Sequence, residues 1–588
     1  MLDRPKVVLF AVVLFLACGA NSVIRYEVAP SAESNLLHVR MTLSTKGDAL
    51  DLQMPNWAPG SYRLVDNYRN VQSFSAKGAN GAALATEKPD NNTWRVRTSG
   101  QSSVVVSYSI PNSYTAGAMH YSGPSTYLYV VGRISEECRL RVAVPEGWRV
   151  AVGLDEVADA PNEFRADDYD VLADNPVTLG DFLLDEYRSY GKPHFILLRG
   201  ATRADVDRPR LINICKSITD TQGAFFGGLP YNKYVWHFNV TDSVDGGGGL
   251  EHLSSTQITL ASGLGPRVVS VISHEFFHLW NVKRIRSKPL GPFDYLKLPR
   301  TGALWWLEGV TDYYADVLLV RSGLWDANQL HDALISNLTS VRARRERLEV
   351  SPYESSWRVS EAANGRGNSQ GFGVSYYNTG WIVGFCLDAE LRSVTGGKHT
   401  LDDVTRALWE LCKDSKPGFE EDEIRKQLVR FGGERLGAYY DQIVMKPGDI
   451  NVESQLAKLG LAIEQKEEPF ADVGFDWSAD KEAKGARVRR IRVEAAVGGL
   501  QEGDIIVSVD GTRLPSDTNK NIATALSQTF SKAGVGVSMK LLVVRGGGEV
   551  EVTVIPFFAT RTVTKIVESQ NCTQEQRALR RAWYRPGL

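Results

Sequence analysis

Two histidines four residues apart with an acid between them, His274-Glu275-Phe276-Phe277-His278, are the residues here best suited to chemistry. On a helix, positions i and i+4 share one face. Two imidazoles so placed bind one zinc ion from the same side, and the intervening glutamate reaches the metal-bound water as general base. With 9 histidines and 69 acidic residues in 588, composition alone yields about 0.02 occurrences of His-acid-x-x-His. The competing account is a helix that carries two histidines by accident.

A zinc site of this kind needs a third protein ligand. Glu308 lies thirty residues past His278, in the otherwise apolar stretch Leu304-Trp305-Trp306-Leu307-Glu308-Gly309-Val310. A carboxylate buried there is costly unless it is paired or bound to metal; the alternative is a helix cap or surface acid. Asp312, at i+4 from Glu308, shares its face. It can accept the free ring N–H of a ligating histidine, or serve a plain structural role.

Several elements must position these residues. Helical periodicity is expected over 268–282 and 304–321, then over 329–345, 381–393, 401–412 and 420–431. Strand-like pieces, 195–198, 234–240 and 257–260, come before them, so 179–455 reads as an α+β catalytic domain. A glycine-rich stretch, Asp245 to Gly249, lies between the last two strands. Upstream, 22–178 shows short alternating runs (36–43, 94–97, 103–110, 127–131) separated by turns, the pattern of a β-sandwich-like domain. No residue in that part has a catalytic spacing. Past 456 the chain is β-rich again to about 560, and 561–588 is a polar, peripheral extension. The fold class is therefore multidomain α+β.

Bulk composition sets limits. The 67 basic and 69 acidic residues leave a net charge of -2, which favours neither nucleic acid nor an anionic membrane as partner. Arg4 and Lys6, the apolar run Val7–Ala17 and Cys18-Gly19-Ala20 have the layout of a signal peptide over 1–20. The mature protein is thus expected to be exported, periplasmic or secreted, without a membrane span. Five scattered cysteines remain and form no disulfide framework; Cys386 and Cys412 either bridge two helices or stay separate thiols.

These motifs resemble the glycyl aminopeptidase family of zinc peptidases, a gluzincin group with a C-terminal PDZ module. His274–Arg286 (HEFFHLWNVKRIR) resembles its zinc helix and Leu304–Tyr314 (LWWLEGVTDYY) its third-ligand helix. Pro55–Tyr62 (PNWAPGSY) resembles a segment of its N-terminal β domain. Gly248–His252 (GGLEH) and Tyr376–Gly380 (YYNTG) resemble two further site segments. The resemblance implies a thermolysin-like, mostly helical peptidase domain with zinc held by His274, His278 and Glu308. It implies that Gly249 and Glu251 bind the substrate, Glu251 through its free α-amine. His252 would orient substrate or be a satisfied structural histidine. Tyr377 would face the oxyanion, with Tyr376 as competitor. It also implies peptide substrates with small first residues such as Gly or Ala. Gly499–Gly511 (GLQEGDIIVSVDG) resembles part of a PDZ domain, whose groove would take a peptide C-terminus with Val473-Gly474-Phe475 as the carboxylate loop. A peptide-binding scaffold with an inactive peptidase domain, and a zinc endopeptidase, are the rival readings.

Overall fold

The computed structural model describes residues 23–241, 247–261, 263–364, 374–413 and 418–585. The expected signal peptide, and Asp245 and Gly246 of the glycine-rich stretch, lie outside the described residues. Among the described residues no helix is long and apolar enough to cross a membrane.

The first part of the chain forms three sheets. In the largest, of seven strands, Leu36–Ser44 pairs antiparallel with Ile24–Ser31 and with Ser103–Pro111. Leu37, Val39, Met41 and Leu43 are buried, the period-two burial of a strand with one face on a core. A four-stranded sheet built on Ala49–Gln53 and Thr93–Arg97 contributes Leu52 and Val96 to that core. Of the strand expected over 127–131, only Tyr129–Val130 is paired.

The catalytic part opens with a five-stranded sheet. Its order is Leu183–Ser189, Lys192–Arg199, Tyr234–Thr241, Ser255–Ala261, Gly249–Glu251. The middle three strands are parallel, and Tyr234–Thr241 is buried along nearly its whole length, as a strand covered on both faces must be. Gly249–Glu251 pairs antiparallel at the edge.

Helices then pack on this sheet. Arg208–Phe226, which hydrophobic periodicity alone does not single out, starts on an Asp207 side chain that accepts from Arg210 N–H and ends on left-handed Gly227. The helix carrying the histidines, Pro266–Phe277, begins with proline in its first turn. It is shorter than expected: the chain turns after His278, and Val282 has φ of 132°. The element carrying Glu308 differs more. Trp305–Val310 is a π-helical turn that runs into the α-helix Thr311–Ser322; such insertions change the direction of side chains within one turn and cluster at functional sites.

Tyr376–Val394 crosses this element where two glycines meet. A Cβ on Gly309 would stand 2.4 Å from Gly380 Cα, and one on Gly380 would stand 2.2 Å from the Trp305 carbonyl. Only glycine permits that approach.

The C-terminal region leaves the catalytic part and returns to it. Leu461–Asp472 and Phe557–Glu568 form a long antiparallel ribbon. Between its strands lies a small sheet with one helix, Asn519–Ser531, and its own core around Val488, Ile506, Leu526 and Leu541. The end of the chain is not a peripheral tail. Helix Gln574–Tyr584 docks on the catalytic part, with Trp583 1% exposed and its Nε1–H donating to Tyr313 Oη at 2.9 Å. The helix is polar on average, which hides a narrow apolar stripe of Leu579 and Trp583. All five described cysteines are free, so Cys386 and Cys412 do not pair.

Trp583→Ala should lower stability by about 3–5 kcal/mol, seen as a fall in thermal midpoint; an unchanged midpoint would mean the helix is not docked in solution.

Candidate metal centre and active site

His274, His278 and Glu308 converge. Their ligand atoms lie within 4.8 Å of one another, and all three residues are buried. Nε2 of His274 is 2.8 Å from Nε2 of His278. Glu308 Oε2 is 3.2 Å from the latter and 3.7 Å from the former.

The outer ring nitrogens fix the tautomers. His278 Nδ1 lies 2.7 Å from the Asn281 carbonyl, which can only accept, so Nδ1 carries the hydrogen. His274 Nδ1 lies 2.7 Å from Asp312 Oδ1, off the ideal hydrogen-bond line, with the same consequence. Both Nε2 lone pairs therefore point inward, toward each other and toward a carboxylate. Three electron-pair donors that converge on one point favour a positive charge there, a proton or a metal ion. Tetrahedral zinc with bonds of about 2.0–2.2 Å sets donor spacings of about 3.3–3.6 Å, which the observed spacings bracket, so the residues fit the ion.

The electrostatics agree. Burial opposes charge on His274, but Asp312 outweighs it and raises that imidazole well above its ordinary value. Burial likewise opposes charge on His278, and Glu308 raises it. Burial would raise Glu308, yet His278 and His274 pull it down to about 2. A site that attracts protons this strongly attracts a divalent ion by the same charges.

Asn281 locks the histidine turn to the glutamate element: its Nδ2 donates to the Trp306 carbonyl at 3.0 Å and to Thr311 Oγ1 at 2.8 Å.

Glu275 and Glu251 stand beside the tripod; with His278 they form a second close group. Burial lifts Glu275 to about 7 against the pull of His274 and His278. Its Oε2 and Glu251 Oε1 have no hydrogen-bond partner. Glu251 sits on the edge strand, and Lys283 Nζ is 3.8 Å from its Oε1 but 2.7 Å from Asp174 Oδ1. His252 faces Asp174 at 3.4 Å, behind the cleft. Tyr377, in the first turn of its helix, lies with its ring 6.1 Å from that of His274 and 4.7 Å from that of Tyr376.

Two cavities flank these groups. One, of about 520 Å³, is lined by Trp57, Gly60, Tyr62, Glu251, Lys283 and Arg286. The other, of about 900 Å³, is lined by Tyr62, Arg63, Arg344, Tyr376 and Tyr377. The N-terminal part thus supplies Gly60, Tyr62 and Asp174 to the site. Sequence reasoning gives that part no catalytic spacing, because these residues lie far along the chain from the histidines. The quoted Pro55–Tyr62 segment was the available signal.

This donor set defines a class when placed beside the comparisons. Residues 267–383 match the family model described as M61 glycyl aminopeptidase, and the chain is a metallopeptidase. Residues 25–181 match the Peptidase M61 N-terminal domain, so the N-terminal and zinc-helix parts of the resemblance read from the motifs are matched. The fold is similar to that of an aminopeptidase N family protein from Idiomarina loihiensis, at 23% identity and TM-score 0.74, over 96% of this chain and 100% of that one. Yeast LTA4 hydrolase (13%, TM-score 0.47, 75% of this chain and 70% of that) is a more distant superposition. So is an M1 zinc metallopeptidase from Deinococcus radiodurans (11%, TM-score 0.45, 73% and 94%). No curated protein matches the chain.

A Cβ on Gly249 would meet Glu275 Cδ at 2.4 Å. Gly249→Ala should therefore displace the glutamate and cut turnover about 100-fold while metal content stays at the wild-type level, measured by elemental analysis beside peptidase assay.

Burial would raise Asp174, but Lys283 and His252 hold it down to about 2. Its stabilisation is present above the ordinary value near 3.9 and is lost as pH falls through about 2. Asp174→Asn should cost roughly 3–5 kcal/mol at pH 7, and the gap in denaturant midpoints should close as pH is lowered toward 2.

Proposed function

We propose that this metallopeptidase is an exported zinc aminopeptidase that removes single residues from the N-termini of peptides. The observation that carries the reading is the tripod of two inward imidazole lone pairs and the Glu308 carboxylate, with Glu275 against it. Bound zinc supplies a water whose pKa falls toward ~7.

The chain's own residues do the rest. Glu275, buried and lifted toward neutrality, accepts a proton from the attacking water and returns it to the leaving nitrogen. Tyr377 donates its phenolic hydrogen toward the oxygen of the scissile carbonyl, where negative charge develops. Asp312 and the Asn281 carbonyl keep both imidazoles in the ligating tautomer. Glu251 receives the α-ammonium. Its Oε1 is buried without a hydrogen bond beside the smaller cavity, and Lys283 is held chiefly by Asp174, so a cationic amine offsets an otherwise uncompensated carboxylate. Gly249 presents edge-strand backbone along which a peptide can add by strand pairing. His252 serves as support through Asp174. Small first residues, Gly or Ala, are the family expectation for the substrate.

The C-terminal module is proposed as PDZ-like. A groove between Phe475–Asp480 and the helix Asn519–Ser531 is lined by Val473, Trp477 and Phe530, where strand addition would lay a peptide. The Gly474 N–H donates to Asp472 Oδ1 at 2.8 Å, so it is not free to hold a terminal carboxylate.

Glu275→Gln should keep zinc but lose about 10²–10⁴-fold in turnover, and wild type should leave N-acetylated peptides intact. Retained activity in the variant would sink the mechanism. Cleavage of blocked peptides would instead mark an endopeptidase, and zinc-loaded protein inert to every peptide would mark a scaffold.

A further inference from the structure

The two cavities beside the metal site are marked by different groups. Glu251, the proposed seat of the α-ammonium, lines the smaller one, while Tyr376 and Tyr377 line the larger. A peptide with its amine on Glu251 therefore sets its first residue beside the smaller cavity and its leaving portion beside the larger. At about 520 Å³, the smaller cavity is far more than the hydrogen of a glycine or the methyl of an alanine fills.

Part of its wall is apolar, from Trp57, Val282, Leu290 and Phe293. The rest is charged. The chain leaves the histidine turn through Val282, a β-branched residue at φ of 132°, a backbone state that persists only where its surroundings demand it. Lys283, Arg284 and Arg286 follow and line the cavity.

Two of these cations are occupied. Lys283 Nζ lies 2.7 Å from Asp174 Oδ1. Arg284 donates to the carbonyls of Leu279 at 2.7 Å and Pro230 at 2.8 Å. Among the described residues, the Arg286 guanidinium makes no hydrogen bond and no ion pair. It is held in place all the same. A Cβ on Gly291 would meet its Cζ and Nη2 at 2.6 Å, and its Cζ stands 5.7 Å from the centre of the Phe293 ring. Asp170, the other acid in the wall, accepts from the Tyr295 phenol at 2.7 Å. A half-buried cation without a partner is costly, and a carboxylate matches the guanidinium fork in shape and charge.

We propose that Arg286 is a specificity-determining residue and that the smaller cavity is the pocket for an acidic first side chain. The enzyme then releases N-terminal glutamate or aspartate, with the α-ammonium on Glu251 and the side-chain carboxylate on Arg286. This inference rests on the aminopeptidase reading above and widens it, since Gly or Ala leaves the pocket empty.

The test uses the p-nitroanilides of glutamate, aspartate, glutamine, glycine and alanine on the full chain. In kcat/KM, wild type should favour the glutamyl over the glutaminyl substrate by about 10- to 100-fold, and Arg286→Met, which keeps the apolar stem, should bring that ratio to about 1. Free L-glutamate and L-glutamine give a readout without turnover: by calorimetry, glutamate should bind wild type more tightly than glutamine and lose that margin in the variant. Wild type that treats the glutamyl and glutaminyl substrates alike overturns the proposal, as does a preference that survives in Arg286→Met; turnover of the glycyl or alanyl substrate then leaves the aminopeptidase reading standing. Turnover of no free-amine substrate overturns both. If Arg286→Met does not fold, Arg286→Gln is held to the same criterion.

Discussion

Three electron-pair donors are held a hydrogen-bond length apart inside a protein, with their hydrogens all pointing outward. Each lone pair repels the next, and burial removes the water that would screen them. Such an arrangement survives only if the surrounding structure enforces it and a cation relieves it. Much of the catalytic part serves that enforcement. Asp312 and the Asn281 carbonyl hold the outward hydrogens of His274 and His278, and the π-helical turn aims Glu308 at both rings.

The enforcement reaches well behind the site. The Gly309–Gly380 contact lets the tyrosine helix sit against the glutamate element at backbone distance, which sets Tyr377 beside His274. On the far side of the same element, Tyr313 donates to Asp388 Oδ2 at 2.6 Å and accepts from Trp583. The last helix of the chain thus braces the element whose first turn carries Glu308. Rigid packing of this kind is what holds ligands near productive geometry.

The chemistry was more legible in the sequence than the frame around it. His274, Glu275, His278 and Glu308 announce themselves by residue type and helical spacing, and the structure brings them together. Strands such as Leu36–Ser44 and Ser255–Ala261 were readable because one buried face gives period two. Arg208–Phe226 was not, since Thr219 and Gln222 interrupt its buried face and only its caps mark it. The π-turn at Trp305–Val310 was hidden because its composition is that of an α-helix. Trp583 was hidden by the polar residues around it. Tyr62, Asp174 and Lys283 come together from separate parts of the chain, and no local pattern encodes a contact that exists only after domains dock.

Buried groups in folded proteins nearly all find partners, yet Glu251 Oε1, His252 Nε2 and Glu275 Oε2 lack one, and all lie within the same few residues of the cleft. A fold optimised for stability alone would have paired Glu251 tightly with Lys283. Instead Asp174 draws that ammonium 2.7 Å from its own oxygen and leaves Glu251 at 3.8 Å. The N-terminal domain therefore governs the charge of the cleft as well as its shape. By holding Lys283 at Asp174 it leaves Glu251 Oε1 buried without a hydrogen bond, which is the condition under which the proposed contact with a substrate's α-ammonium would be favourable.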